Sequence, residues 1–369
     1  MDLSLSEHQE MLKATAADFV RHEAASHKIT EWAKQQVAFV PELWRQAAGM
    51  GWLGMLTPAD YGGAGVSLTD AAVVFEQLGR GPLPGPFFNS GILVPLLLME
   101  GGNHEQQARY LPPLAQGTQI ATLALNEPVH KYGPDWVKME ASRRNGDYVL
   151  NGTKLFVQDA EAADTLVVMV RTENGLTLLL VDKNTPGLSV RRIEGFMASA
   201  CEVNFESVSV PASAVLGPEG GGWQVLERAA QKAIPVMCAF QVGGCQEVFD
   251  FTAEYTRTRV VFSQPIGRFQ RVQDHVIELS LHMDGARWTT NQALWAVDSA
   301  QPDAAAMVHL AKASEGYCRA CDFSLEVHAG VGTDKAHPLY PHLIMSRSLY
   351  PYLGEPRYHK RLMADAWDM

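Results

Sequence analysis

The sequence predicts an α+β fold in three consecutive parts: helical, then β-rich, then helical. Two observations carry this. The dominant hydrophobic period changes from helical to two near residue 121 and back near residue 217, and the Asn-Gly turn signals all fall in the middle part. A third observation removes the commonest nucleotide-binding alternative. No glycine cluster stands as G-x-G-x-x-G between a strand and a helix with an acidic residue about 20 positions further on, as a doubly wound fold requires. The changes of period place domains at 1–120, 121–216 and 217–369.

In the first part, Ser6 and Gln9 stand three apart at the head of a helical pattern and form a capping box. Loops at "PADYGGAGVS" (58–67) and "GRGPLPGPFF" (79–88) separate the helices, because Gly and Pro interrupt the pattern there. The most apolar run, "GILVPLLLME" from Gly91, is broken by Pro95 and falls well short of the ~20 residues of a membrane span. It is expected as a buried helix. In the middle part "YVLNGTKLFVQDA", "TLVVMVRTENGLTLLLVDK", "LSVRRI" and "CEVNFESVSVP" read as strands, with turns at Asn-Gly 145–146, 151–152 and 174–175. After "GPEGGGW" (217–223) long helices begin near Gln224, Gln270 and Ala304.

A formal net charge of −11, with no stripe of Lys and Arg, argues against a nucleic-acid partner. "MDLSLSEHQEMLK" lacks the basic and apolar regions of an export signal, so a cytoplasmic location is expected. Five cysteines, an odd count, imply no disulfide framework. The Cys318-x-x-Cys321 pair lies in a continuous helical pattern without a second ligand pair, so two buried thiols are expected rather than a metal or redox site.

The α–β–α order and five phrases in sequence resemble the acyl-CoA dehydrogenase family over essentially the whole chain. The phrases are "LTPADYGGAGVSLTDAAVVFEQLGR" (56–80), "LNEP" (125–128), "LNGTKLFVQDAEAADTLVV" (150–168), "RVVFSQPIGRFQRVQ" (259–273) and "HAGVG" (328–332). The resemblance implies a middle β-barrel or sandwich, a C-terminal four-helix bundle, FAD, an acyl-CoA substrate, a tetramer and an electron-transfer flavoprotein as acceptor. It also implies site residues. Leu125 and Asn126 would be edge contacts of the flavin, with Asn126 in place of the usual Thr. Phe156 takes the place of the aromatic stacked by the isoalloxazine, and Gln158 that of a hydroxyl residue near its reactive edge. Arg259 matches the pyrophosphate-binding Arg, with Phe262 and Gln270 as adjoining contacts. Glu326 and Gly330 belong to the glycine-rich loop that reaches a neighbouring subunit's FAD. There Glu326 replaces a Gln and Ala329 replaces the first Gly, and a carboxylate facing a pyrophosphate would repel it.

The family removes a proton from Cα of an acyl thioester with a carboxylate while the flavin takes hydride from Cβ. In "PYLGEPRYHKR" (351–361) the commoner position of that carboxylate is held by Gly354 or, matching the glycines instead, by Leu353. Glu355 is adjacent and is the candidate base of this chain, although between Gly354 and Pro356 it reads first as a turn residue. The alternative position, on the first helix after the β part, is Ala233, followed by Ile234. Glu227 is six residues early, a rotation of about 240° on a helix.

The ending "LGEPRYHKRLMA" is similar to that of the bacterial subunits acting on steroid side chains, which assemble as α2β2 heterotetramers with the base in one chain only. Three readings stay open: a base-lacking subunit of a hetero-oligomer, a self-sufficient homo-oligomer using Glu355, and a non-catalytic acyl-CoA-binding or protein-binding member. His275, His328 and His359 are assigned no role.

Overall fold

The computed structural model describes residues 4–129, 131–194 and 199–367. Six helices precede the first strand: α1 (Glu7–Glu23), α2 (Ser26–Lys34), α3 (Pro41–Gly49), α4 (Leu68–Arg80), α5 (Val94–Gly101) and α6 (His104–Ala115). The capping box forms as expected, Ser6 Oγ accepting from Gln9 N while Gln9 Oε1 accepts from Ser6 N. The apolar run enters α5 through a π-turn at Asn89–Leu93, with Pro95 in the first turn of the helix, where its missing N–H costs nothing. Gly79, expected in a loop, is instead inside α4.

The β part holds β1 (Ala121–Ala124), β2 (Ala141–Arg144), β3 (Asp147–Gln158), β4 (Thr165–Thr172), β5 (Gly175–Asp182), β6 (Leu188–Arg192), β7 (Ala200–Val210) and β8 (Val215–Leu216). They make two four-stranded sheets, in the orders β1-β4-β5-β8 and β2-β3-β7-β6. All pairs are antiparallel except β1 with β4.

The three Asn-Gly signals have three outcomes. Asn145-Gly146 is the β2–β3 turn, with both residues at positive φ. At 174–175 the pairing of Thr172 with Gly175 makes Glu173-Asn174 the loop and puts Gly175 at the head of β5. Asn151-Gly152 is not a turn at all. It lies inside β3, where β7 carries an extra residue at Ser207, and Asn151 Oδ1 accepts from Ser207 N at 2.8 Å. The side-chain amide satisfies the bulge that the sequence pattern disguises as a hairpin.

The last part contains α7 (Gly222–Thr258), a short hairpin β9 (Val260–Val261) and β10 (Gln264–Pro265), α8 (Gln270–Asp298), α9 (Ala304–Lys312), α10 (Gly316–His328), α11 (Leu339–Leu349) and α12 (Pro356–Ala366). The Cys318 and Cys321 thiols are buried in α10 with their pKa values pushed up by burial, which disfavours the thiolate that redox or metal chemistry needs.

By compactness the chain forms two units. One comprises Met1–Val37, Leu68–Leu83 and Ile234–Met369, and the other Ala38–Ser67 and Pro84–Ala233. In the first, α4 and α7 approach so closely that a Cβ at Gly79 would lie 1.8 Å from Phe240 O, and one at Gly243 1.7 Å from Glu76 O. Its core gathers Cys245, Val248, Leu279, Met283, Tyr317, Ala320 and Leu339. In the second, fully buried Leu150, Leu166, Val168, Leu178, Leu179, Val203 and Leu216 fill the sheets. No helix among the described residues is long and apolar enough to cross a membrane.

Candidate active site

In the second unit, β1 ends at Ala124 and the chain continues through Leu125, Asn126 and Glu127. Leu155 N donates to Asn126 O at 2.9 Å, which ties this segment to β3. The stronger tie is ionic. Lys154 of β3, fully buried, donates from Nζ to Leu125 O at 3.1 Å and to Glu127 Oε1 at 2.8 Å. Glu127 also accepts from Lys138 N and Met139 N, both at 2.9 Å, so both of its carboxylate oxygens are hydrogen-bonded. Burial pulls the Lys154 pKa down to about 8, against the attraction of Glu127. Two buried charges thus hold together the end of β1, the middle of β3 and the segment 131–139.

That segment belongs to "NEPVHKYGPDWV" (126–137), of which His130 lies outside the described residues. Arg171 braces it, donating to Val137 O and Pro134 O at 3.1 Å each, and the Lys131 ammonium lies 4.0 Å from the centroid of the Trp136 ring. Sequence reasoning missed Glu127 and Lys154. The signal was present: Lys154 falls on the inward phase of β3 set by Tyr148 and Leu150, where an apolar residue is ordinary.

Phe156 and Gln158 follow. Between Lys154 and Val157 the extra residue is on β3, and Phe156 takes φ +54, a left-handed conformation that is costly for an aromatic residue. The bulge turns the Phe156 side chain out of the strand's alternation and leaves it half-buried. Gln158 is buried, and its carbonyl accepts from Thr122 Oγ1 at 2.7 Å. Next comes Asp159, also at positive φ and buried, whose Oδ2 accepts from Asn89 Nδ2 at 3.1 Å. Burial pushes its pKa up to about 6. Asp159 was not read as special in the sequence, because only its tertiary surroundings make it so.

In the first unit, Arg259 follows α7 and is exposed, with no ion pair among the described residues. Its backbone starts the β9–β10 hairpin, whose two-residue loop is Phe262-Ser263 with φ +51 and +62. Such a loop ordinarily takes Asn or Gly. A phenylalanine there, 87% exposed, is held in a strained and rigid position facing outward. Gln270 is exposed at the first position of α8.

Glu326 is exposed in the last turn of α10, and Ala329 has φ +52 and ψ −138, a region essentially reserved for glycine. Ala329 therefore keeps a glycine's backbone at a cost. Gly330 is exposed, with nothing within 4 Å of where a Cβ would sit. Among the three histidines assigned no role, His328 is buried and stacked on Tyr255, with ring centroids 4.3 Å apart.

The positions considered for the base differ sharply in environment. Ala233 is fully buried in α7, and Ile234 beside it is 3% exposed. Gly354 is buried at φ +102, and a Cβ there would stand 2.7 Å from His359 Nε2. Leu353 is buried at φ +55, and its carbonyl lies 2.8 Å from the same His359 Nε2. His359 Nδ1 is in turn 3.0 Å from His309 Nδ1, so the 351–359 turn is locked around a buried imidazole that burial keeps neutral, with its pKa lowered to about 3. Glu355 is exposed at the N-cap of α12 and makes no side-chain capping bond, while its carbonyl accepts from Tyr358 N and His359 N. Glu227 is exposed and accepts from Trp223 Nε1 at 2.7 Å.

Each unit by itself has residues that fit part of FAD: in the second, the ring of Phe156 at its strained bulge suits a flat ring system, and in the first, the unpaired Arg259 guanidinium suits a pyrophosphate. Glu326 alone does not suit it.

Comparison with known proteins agrees. Profiles of the acyl-CoA dehydrogenase N-terminal, middle and C-terminal domains match residues 6–118, 122–208 and 220–367. The mitochondrial isovaleryl-CoA dehydrogenase of Pongo abelii is 31% identical over 298 residues, 77% of this chain and 70% of that protein. Two solved structures align with TM-scores of 0.90 at 26% identity, covering 100% of this chain and 99% of theirs. One is PigA with FAD and proline, the other the ChsE4-ChsE5 complex from Mycobacterium tuberculosis. Those matches, in the order and over the extent that the fold itself displays, make this chain a member of the acyl-CoA dehydrogenase family, FAD-dependent oxidoreductases.

Proposed function

We propose that this chain is the base-lacking subunit of a hetero-oligomeric acyl-CoA dehydrogenase, acting with a paralogous chain on a bulky acyl-CoA. One observation carries the reading. None of the positions matched to the family's carboxylate carries an ionisable group: they are Ala233, Leu353 and Gly354, and at Gly354 a Cβ would also stand 2.7 Å from His359 Nε2. A general base also needs a carboxylate desolvated enough to raise its proton affinity toward that of the thioester α-proton. Glu355, exposed at a helix N-cap, has no such surroundings. The likeness over its full length to a chain of a two-component complex supports the same reading.

Bound FAD would supply the acceptor for hydride leaving Cβ. Leu125 and Asn126, held by the Lys154–Glu127 pair, would present backbone to the ring edge, with Phe156 offering a ring face and Gln158 a polar group beside it. Arg259, Phe262 and Gln270 would hold the pyrophosphate and its surroundings, and Gly330 leaves a backbone that a ligand can approach. Glu326, an exposed carboxylate, is the residue that does not suit the phosphates. Proton removal from Cα would fall to the partner subunit, with an electron-transfer flavoprotein as electron acceptor.

The test is native mass, flavin content and acyl-CoA desaturation for the chain alone and co-expressed with a paralogue. Low flavin and no turnover alone, both recovered on co-expression, are expected, with Glu355→Gln leaving the turnover of the complex unchanged. Full desaturase activity from this polypeptide by itself sinks the proposal.

A further inference from the structure

The first unit contains a cavity of about 450 Å³ that takes no part in the flavin or acyl-CoA reading. It is a half-open cleft lined by the C-terminal half of α1, the start of α2, the end of α4, the middle of α7 and the start of α11. Its walls are mixed, with Val20, Ile29, Phe251 and Pro338 on the apolar side and Arg21, Arg80 and Glu247 among the polar residues. Two polar side chains line it without being used up by the protein. Gln77 is 6% exposed, and its amide makes no hydrogen bond among the described residues. His342 is 3% exposed, and its one bond joins Nδ1 to the Tyr317 hydroxyl at 2.8 Å.

Tyr317 is buried and has no other acceptor for its proton, so its hydroxyl donates to Nδ1 and the imidazole proton sits on Nε2. The free edge of His342 is therefore a donor. Burial keeps the ring neutral, with a pKa of about 3.

The Gln77 amide has no protein partner among the described residues, so it is free to pair with a ligand. It lines a space within the 300–1,000 Å³ range of ligand sites. Charge decides the class of ligand. Arg80 at the wall is matched by Glu247 at 2.9 Å and Asp250 at 2.6 Å, and Arg21, also at the wall, is paired with Asp18, so an anion gains no free cation and meets a carboxylate. A cation would face the guanidinium.

We infer that this cavity is a binding site for a neutral, partly aromatic small molecule with an amide or lactam head. Its carbonyl and N–H pair with the Gln77 amide, the His342 Nε2–H donates to the same carbonyl, and the ring body packs among Val20, Ile29 and Phe251.

The probe is quinolin-2-one, a neutral bicyclic lactam, titrated into the full-length chain alone and into its flavin-loaded complex with the co-expressed paralogue, and followed by ligand-observed NMR and calorimetry. Gln77→Leu, which keeps the volume and removes the amide, weakens binding about tenfold, the worth of one or two neutral hydrogen bonds. Ala17→Phe fills the cavity and abolishes binding, while both variants retain flavin and the turnover of the assembled enzyme. If Ala17→Phe fails to accumulate folded, Ala24→Phe is the second filling variant and is read the same way. No binding, or binding that neither Gln77→Leu nor a filling variant alters, overturns the inference.

Discussion

Replacing Lys154 by Met tests the account of how the flavin-edge segment is held. The change keeps most of the side-chain volume but removes the ammonium that bonds Leu125 O and Glu127 Oε1. At 2.8 Å and an effective dielectric near 20, the gross attraction of the pair is about 6 kcal/mol, much of it offset by desolvation of both ions. What the single substitution exposes is the stranded partner: Glu127, 9% exposed, remains inside without its counter-charge. Breaking a buried pair this way costs roughly 3–5 kcal/mol. The two backbone donors left to Glu127, Lys138 N and Met139 N, put the expectation at the lower end, about 3 kcal/mol.

The double variant Glu127→Gln/Lys154→Met removes both charges and leaves a neutral amide whose one oxygen can accept from either Lys138 N or Met139 N, not both. It should recover part of the loss. Urea denaturation of the two single variants and the double closes the cycle, and visible flavin absorbance reports whether the Leu125–Asn126 edge has moved. A Lys154→Met loss below about 1 kcal/mol, or a double variant as unstable as the sum of the singles, would refute the reasoning.

Three further outcomes follow from the same structure. Asp159 has its pKa raised from 3.8 to about 6, so the folded state binds more protons than the unfolded between those values and stability falls as pH rises through that window, by roughly 3 kcal/mol for this group. Asp159→Asn should remove that slope and stabilise the protein at pH 7, as read from the difference between the wild-type and variant stability profiles from pH 4 to 8. Gly243→Ala drives a Cβ to 1.7 Å from Glu76 O, so α4 and α7 must separate; a loss of more than 2 kcal/mol in thermal or urea unfolding is expected, against about 1 kcal/mol gained for Gly→Ala in an unobstructed helix. Gly354→Ala meets both a left-handed φ of +102 and the His359 ring at 2.7 Å, and should cost roughly 1–3 kcal/mol, showing in unfolding curves that a carboxylate cannot simply be restored at this position.

The α–β–α order was legible because burial of one face imposes a period, and the period changes where the secondary structure does. The capping box at Ser6 and Gln9 was legible for a similar reason: its donors and acceptors are three residues apart in the chain. Asn151-Gly152 was misread because the same dipeptide serves a turn or a bulge, and only the register with β7, more than 50 residues away, decides which.

The flavin-edge segment at 125–126 was found by resemblance, whereas the buried pair that holds it was not. Lys154 is an unremarkable residue in a strand until its neighbours exclude water from it.

The sequence by itself determined the class of fold, the family and the absence of a carboxylate at the residues matched to the base, since these depend on residue identity and near-neighbour spacing. Only the tertiary structure decided that Ala233 and Leu353 are buried and that Gly354 has no room for a Cβ. The left-handed backbone at Leu353 and Gly354 and the imidazole of His359 packed against them come from contacts among separate helices. The same holds for Gln77: in sequence it is one polar residue on an amphipathic helix, and only the convergence of α1, α2, α7 and α11 around it removes every partner and leaves its amide facing a cavity.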